Sequence, residues 1–340
     1  MSKADAAAAI LWIGATLYAV FGGADFGAGF WSLVGGSGER GERARRLIDS
    51  AIGPVWEANH VWLIFILVVL WTAFSVAFEA IMSTLFIPLC LAALGIVLRG
   101  SGFAFHEVAE HRAGRSFAEH LFAASSVITP FFMGTVVGAI ASGRVPVGNA
   151  AGDPWSSWLN PVSILVGVLF VATGAYLAAV FLIRDARAAG YDDLVSYFSR
   201  RALGAAVATG AIALVGIFVL RADARYVYDD LTSDGIPLVI LSAVCGLGAL
   251  ALIWRGARRG ARELAVGAVV AIIWGWGVAQ FPYLLPTSLT IAAGAGTSDT
   301  LTMVFIVFGA AVVLVIPSMA LLYTLTQRRM LGRDGEPADE

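Results

Sequence analysis

Gly53-Pro54-Val55-Trp56-Glu57-Ala58-Asn59-His60-Val61-Trp62 sets a carboxylate, an amide and an imidazole just ahead of the apolar run Leu63 to Leu70. Pro54 suits a first helical turn, where its missing N–H leaves nothing unpaired. Ionisable groups at membrane depth are expensive and mark a pathway or a buried partner. On a helix Glu57 and His60 share a face at i,i+3, and Trp56 and His60 at i,i+4. Two readings stand: a polar cap snorkelling to the interface, or a functional or subunit-packing cluster.

The surrounding chain fixes the fold class. With 59% apolar residues, 14% charged residues and a mean hydropathy of +0.82, a soluble globule is excluded. Runs of about 18 or more apolar residues recur, each enough to cross a hydrocarbon core. They are continuous rather than alternating, which implies helices and not a barrel. The expected fold is an all-α integral membrane protein of nine spans: residues 7–34, 54–78, 80–98, 120–141, 161–183, 202–220, 236–254, 264–285 and 301–325. Only Glu79 separates the second and third spans, which implies a tight hairpin or one long kinked element. The first run is too long for a signal peptide and lacks a small-residue cleavage site, so it counts as a span.

The basic residues order these spans. If they alternate, one side receives every Lys and Arg except Lys3, Arg144, Arg221 and Arg225, out of 22 in the chain. The positive-inside rule then puts the N-terminus outside and the C-terminus in the cytoplasm. Residues 1–330 form a single membrane domain, with 331–340 as a polar cytoplasmic tail. Two four-helix units, about 7–141 and 161–285, plus one peripheral helix at 301–325 are the expected arrangement. No loop exceeds about 20 residues, so no extramembrane domain is expected. Trp155 and Trp158 read as interfacial anchors. Arg221 to Asp234 reads as a solvated connection, and Arg99 to Glu119 as a charged loop. Pro88, Pro130 and Pro317 are expected to kink their spans. Gln280 to Pro286 breaks span eight at its outer end.

Asp25 lies about 13 Å inside the cytoplasmic end of span one, at 1.5 Å per residue. Glu57 lies about a turn inside the same boundary on span two, so adjacent helices bring the two carboxylates to comparable depth. Two anions in a low dielectric repel, which favours one shared proton, and proton relays are built from such groups. The alternative is that Gly22, Gly23, Gly27 and Gly29 serve close helix packing while Asp25 pairs with an Arg at the rim. Of the four His, only His60 is clearly helical and near an apolar region, too few for a two-His haem site. No Cys/His spacing fits zinc, and no Gly-rich phosphate loop follows a strand. Cys90 and Cys245 sit inside apolar segments, against a disulfide. A small-solute secondary transporter remains as the rival, since broken helices can form transport sites.

The same residues carry a resemblance. Trp56-Glu57-Ala58-Asn59-His60-Val61-Trp62 resembles the Trp-acid-x-Asn-x-x-Trp signature of subunit II of cytochrome bd-type quinol oxidases. Gly23-Ala24-Asp25-Phe26-Gly27-Ala28-Gly29 is similar to that family's Gly-x-Asp-Phe/Leu-Gly-x-Gly segment, in the same order. Position 57 is Glu where many members have Asp, and position 60 is His where an acid is common. The resemblance implies a haem-free subunit that binds no cofactor directly, in an obligate heterodimer with a haem-bearing subunit I. That partner would carry two haems b, one haem d and the quinol site. Small accessory subunits, lipids and a structural quinone are further candidate ligands; a nucleic-acid partner is not expected. The implied location is the bacterial cytoplasmic membrane, and the implied reaction is quinol oxidation with reduction of O₂ to water. Within this chain the resemblance points to Asp25, Glu57 and His60 as proton-pathway candidates, and to Trp56, Asn59 and Trp62 at an oxygen path or subunit contact.

Overall fold

The apolar runs fold as helices, as backbone in lipid must when it satisfies its own hydrogen bonds. The computed structural model describes residues 2–36, 38–52, 56–108 and 112–327, leaving aside the side chains of 52, 56–58, 103–108, 112–120, 323, 326 and 327. In chain order the helices of the first half are α1 (Lys3–Leu17), α2 (Gly23–Leu33), α3 (Glu39–Ile52), α4 (Trp56–Ala73), α5 (Ser75–Thr84), α6 (Phe86–Val108) and α7 (Arg112–Ala141). The second half holds α8 (Pro161–Ala188), α9 (Asp192–Asp223), α10 (Arg225–Leu231), α11 (Ile236–Trp254) and α12 (Ala261–Gln280). A hairpin of β1 (Tyr283–Leu285) and β2 (Leu289–Thr290) then leads through α13 (Ile291–Gly294) to α14 (Ser298–Gln327).

Local chemistry explains the ends of these elements. Ser2 caps α1 in a reciprocal box with Asp5, and Lys3 Nζ donates to Ser298 Oγ at 2.8 Å and Thr302 Oγ1 at 3.0 Å, fastening α1 to α14. Asn160 caps α8 by accepting from Ser163 N at 2.9 Å, with Pro161 in the first turn. A π-helical turn, Tyr18–Gly22, joins α1 to α2, so that Lys3–Leu33 runs as one span.

Against the nine spans expected from sequence, seven described helices are long and apolar enough to cross a membrane, or eight if the bent pair α4–α5 is one span. The difference falls on the second and third spans. The chain does not break at Glu79, which lies exposed inside α5. It breaks at Phe74 (φ −138°, ψ 54°), where α4 and α5 meet at 119°. Phe74 is buried, and the neighbouring Ala73 carbonyl accepts from Gly296 N at 2.8 Å, so the bend leaves that carbonyl paired. The segment expected as the third span starts at Phe86, and its described apolar part, Phe86–Gly102, is shorter than the seven that qualify. The loop expected from Arg99 is helical through Val108, and helix resumes at Arg112. Pro88 falls in the first turn of α6, whereas Pro130 and Pro317 lie within continuous helices.

Small residues set the packing of the first half. A Cβ on Gly27 of α2 would overlap the Gly174 carbonyl of α8, and one on Gly29 would overlap the Ser126 hydroxyl of α7. Gly134 and Gly138 of α7 likewise approach Gly167 and Ser163 of α8. Such close backbone approach is how helices associate where lipid supplies no hydrophobic drive. On the side opposite the basic loops, Arg144 holds Asp223 through two contacts of 2.6 and 2.9 Å, so the Arg221–Asp234 connection is tied down rather than only solvated. Trp155 is exposed, but Trp158 is buried against Phe132, which corrects its reading as an anchor. The break at Gln280–Pro286 is the β-hairpin, whose Leu285 and Leu289 join the core that contains Phe74.

Candidate functional site

Asp25 is the third residue of α2, just past the π-helical turn, and is buried. Its Oδ2 accepts from Asn59 Nδ2 of α4 at 2.8 Å. Arg99 of α6 is fully buried beside it; its Nη2 donates to the Asp25 backbone carbonyl at 3.3 Å, and its Nη1 donates to Ser126 Oγ of α7. The Arg99 guanidinium lies between two rings, 4.9 Å from the Phe26 centroid and 4.2 Å from that of Phe122. His60 packs edge-on to Tyr18 and Phe26, with centroids 6.3 and 6.0 Å away. Four helices thus converge on one carboxylate, one amide, one guanidinium and one imidazole.

The local sequence makes this convergence possible. Gly29 has no Cβ, and a Cβ there would press on Ser126 and stand 3.2 Å from Arg99 Nη1. Asn59 and His60 follow one another on α4, so Asn59 faces Asp25 while His60 turns to the Tyr18–Phe26 side. Ser126 Oγ donates onward to the Phe122 carbonyl at 2.7 Å, which fixes the hydroxyl that receives Arg99. The arrangement holds a carboxyl group in a hydrogen bond from a neutral amide, with a cation close by. Among the described residues, Arg99 reaches its backbone rather than its carboxylate oxygens.

The structure therefore brings Asp25, Asn59 and His60 together. The side chains of Trp56 and Glu57 lie outside the described residues, so the Asp25–Glu57 pairing lies outside them too. Trp62 is half-buried on α4. The side chains of His106, His111 and His120 also fall outside the described set, and among the described residues no cluster of His, Cys, Asp and Glu could hold a metal ion.

Sequence reasoning missed Ser126, Phe122 and Tyr18, and it allowed for an Arg beside Asp25 without identifying Arg99. Arg99 reads as a rim charge because a basic loop follows it, yet Gly102-Phe103-Ala104-Phe105 continues apolar beyond it. A lone Arg with apolar sequence on both sides of a helix was the signal.

Fold and site together define a multi-pass helical membrane protein with a buried ionisable cluster where four helices meet. The sequence model of the family described as cytochrome bd terminal oxidase subunit II matches residues 4–326, and the chain belongs to that family. It is 27% identical over 272 residues to cytochrome bd ubiquinol oxidase subunit 2 of Bacillus subtilis (strain 168), covering 78% of this chain and 77% of the relative. It is 26% identical over 360 residues to cytochrome bd-I ubiquinol oxidase subunit 2 of Escherichia coli (strain K12), covering 93% and 91%. The solved structure of the bd oxidase from Geobacillus thermodenitrificans superposes with a TM-score of 0.78 at 26% identity, over 96% of this chain and 98% of that one. The resemblance read from Trp56–Trp62 and Gly23–Gly29 is borne out, and the transporter reading draws no support.

Proposed function

We propose that this chain is the haem-free subunit II of a quinol:O₂ oxidoreductase and that its buried cluster admits protons to the complex. For the first part, family membership supports the place of the chain as subunit II of a terminal oxidase. The observation that carries the second is the Asp25–Asn59 hydrogen bond beside Arg99 at the meeting of α2, α4, α6 and α7. In this reading two haems b and the haem d reside on subunit I, which also oxidises quinol, and this chain ligates none. Protons enter from the cytoplasmic side, pass Glu57 near the start of α4, and reach Asp25. Asn59 keeps the Asp25 carboxyl oriented, and Arg99 limits the cost of its anionic form. His60 stands next to this route, and Trp56 and Trp62 border an oxygen path or the subunit I contact.

The topology completes the reading. The helices cross nine times, with α4–α5 and α6 counted as the second and third crossings, the N-terminus outside and the C-terminus in the cytoplasm. Two four-helix units, the first ending with α7 and the second with α12, flank a peripheral α14. One feature favours a duplication: Ala224, between α9 and α10, has φ −140° and ψ 59°, nearly the angles of Phe74 between α4 and α5. Small accessory subunits and a structural quinone are additional ligands of the complex.

Co-expression with subunit I tests the assignment. Haem bands and quinol-dependent oxygen uptake are expected only when a larger partner copurifies. Haem bands from this chain alone contradict it.

A further inference from the structure

A second charged feature lies away from the Asp25 cluster, on the basic-loop side. A hollow of about 460 Å³ is lined by Arg184 and Arg187 from the last turns of α8, Arg258 and Arg259 from the α11–α12 connection, and Arg262 and Glu263 from the first turn of α12. This volume falls in the range of about 300–1,000 Å³ typical of ligand sites. Five arginines face it, against Glu263 on its rim and Asp185 nearby, which feels Arg262 and Arg184. Arg187 donates to the Ala257 and Gly256 carbonyls at 2.8 and 3.3 Å, which fixes the connection that carries Arg258 and Arg259. Arg184, Arg258 and Arg259 are exposed, and among the described residues none of the three forms an ion pair.

Two independent features point to what the hollow takes. The N-cap of α12 is Gly260, whose missing side chain leaves the first-turn amides uncapped where Arg262 and Glu263 line the hollow. A 20-residue helix with a free N-terminus favours an anion there. Beside the hollow, and sharing Arg262 and Glu263 with it, runs a groove of about 280 Å³ walled by Val20, Phe21, Phe181 and Val266. Arg262 lies over the Phe181 ring at 4.3 Å, so the polar hollow and the apolar groove meet at one side chain. A soluble anion would use only the first of these; a phospholipid would use both.

We propose that the hollow binds the phosphate of an anionic phospholipid, with one acyl chain lying in the adjoining groove. Basic pockets between membrane helices on the cytoplasmic side take such headgroups. At about fivefold in affinity per arginine close to an anionic lipid surface, removing two lowers binding about 25-fold.

The test is native mass spectrometry of the delipidated oxidase complex titrated with dioleoylphosphatidylglycerol or dioleoylphosphatidylcholine. The wild-type complex should take up phosphatidylglycerol preferentially. Arg184→Gln with Arg258→Gln should remove that preference, and the corresponding pair of Lys substitutions should keep most of it. Arg40→Gln with Arg46→Gln, an equal loss of charge elsewhere on the same side, should leave it intact, with haem content reporting assembly in each case. Equal uptake of the two lipids by the wild type overturns the proposal, and this arm stands even if the Gln pair fails to assemble. An equal loss in the Arg40/Arg46 pair overturns it in favour of diffuse surface charge. Displacement of bound phosphatidylglycerol by millimolar inorganic phosphate overturns it in favour of a soluble anion.

Discussion

Arg99 meets Asp25 through a backbone carbonyl and Ser126 through a hydroxyl, and its flat guanidinium fits between Phe26 and Phe122. An ammonium group cannot reproduce that fork or that stacking. Arg99→Gln is expected to cost about 1.5–3 kcal/mol for each hydrogen bond from the charged donor that it loses, and Arg99→Lys should recover little of it. Thermal loss of the haem absorbance of the purified complex measures both, and full recovery by Lys would show that charge alone matters. Asn59→Leu removes the donor to Asp25 and should cost about 1–3 kcal/mol in the same assay, while a neutral result would place Asp25 on another donor. Asp25 stood out in the sequence as a carboxylate inside an apolar run; Asn59 stood out too, but as a candidate for an oxygen path or subunit contact, and its hydrogen bond to Asp25 was not foreseen. Arg99 did not stand out, because positive charge near a helix end is the ordinary pattern at a membrane face.

At the level of elements, the contact between α2 and α8 decides whether the cluster forms at all. A methyl group on Gly27 would overlap the Gly174 carbonyl and stand 2.6 Å from the Ala175 nitrogen, both backbone atoms that no rotamer change can move. Gly27→Ala should therefore destabilise the complex by about 1–3 kcal/mol or more. Gly204→Ala on α9, where an added Cβ meets nothing within 4 Å, should be neutral or mildly stabilising. Yields of assembled complex compare the two, and equal yields would show that the α2–α8 approach is not limiting. Helix identity was readable from continuous apolar runs, but the turns between helices were not. Glu79 looked like a boundary because it is charged, whereas the chain turns at the apolar Phe74, held by burial and by the Gly296 amide on the Ala73 carbonyl. The hairpin at 283–290 announced itself only as a proline-bounded break, because its pairing partners, Tyr283 with Thr290 and Leu285 with Leu289, follow from tertiary packing.

For the whole molecule, large apolar side chains remain exposed on α9, α11 and α14, among them Phe218, Leu247 and Val313. Lipid and a partner subunit are the two surfaces that can cover them. The chain purified without its partner is expected to show no haem bands and to aggregate on detergent dilution; a monodisperse, haem-bearing isolated chain would contradict the proposed division of labour. The membrane class was plain from composition, because no soluble core can hide 59% apolar residues in runs of this length. The role of the chain was legible only through two short motifs, since most of its surface is built to meet lipid or protein and carries no chemistry of its own. The claim that its carboxylates pass protons is tested most directly by oxygen consumption normalised to haem content in Asp25→Asn and Glu57→Gln. Asn at position 25 can still accept from Asn59, and Gln at position 57 preserves the size of Glu, so both complexes should assemble with normal haem. Turnover per haem should fall about 100-fold or more, the scale of a lost proton-transfer group, with Glu57→Asp milder than Glu57→Gln. Normal turnover per haem in both variants would contradict the relay and leave the two residues a purely structural role.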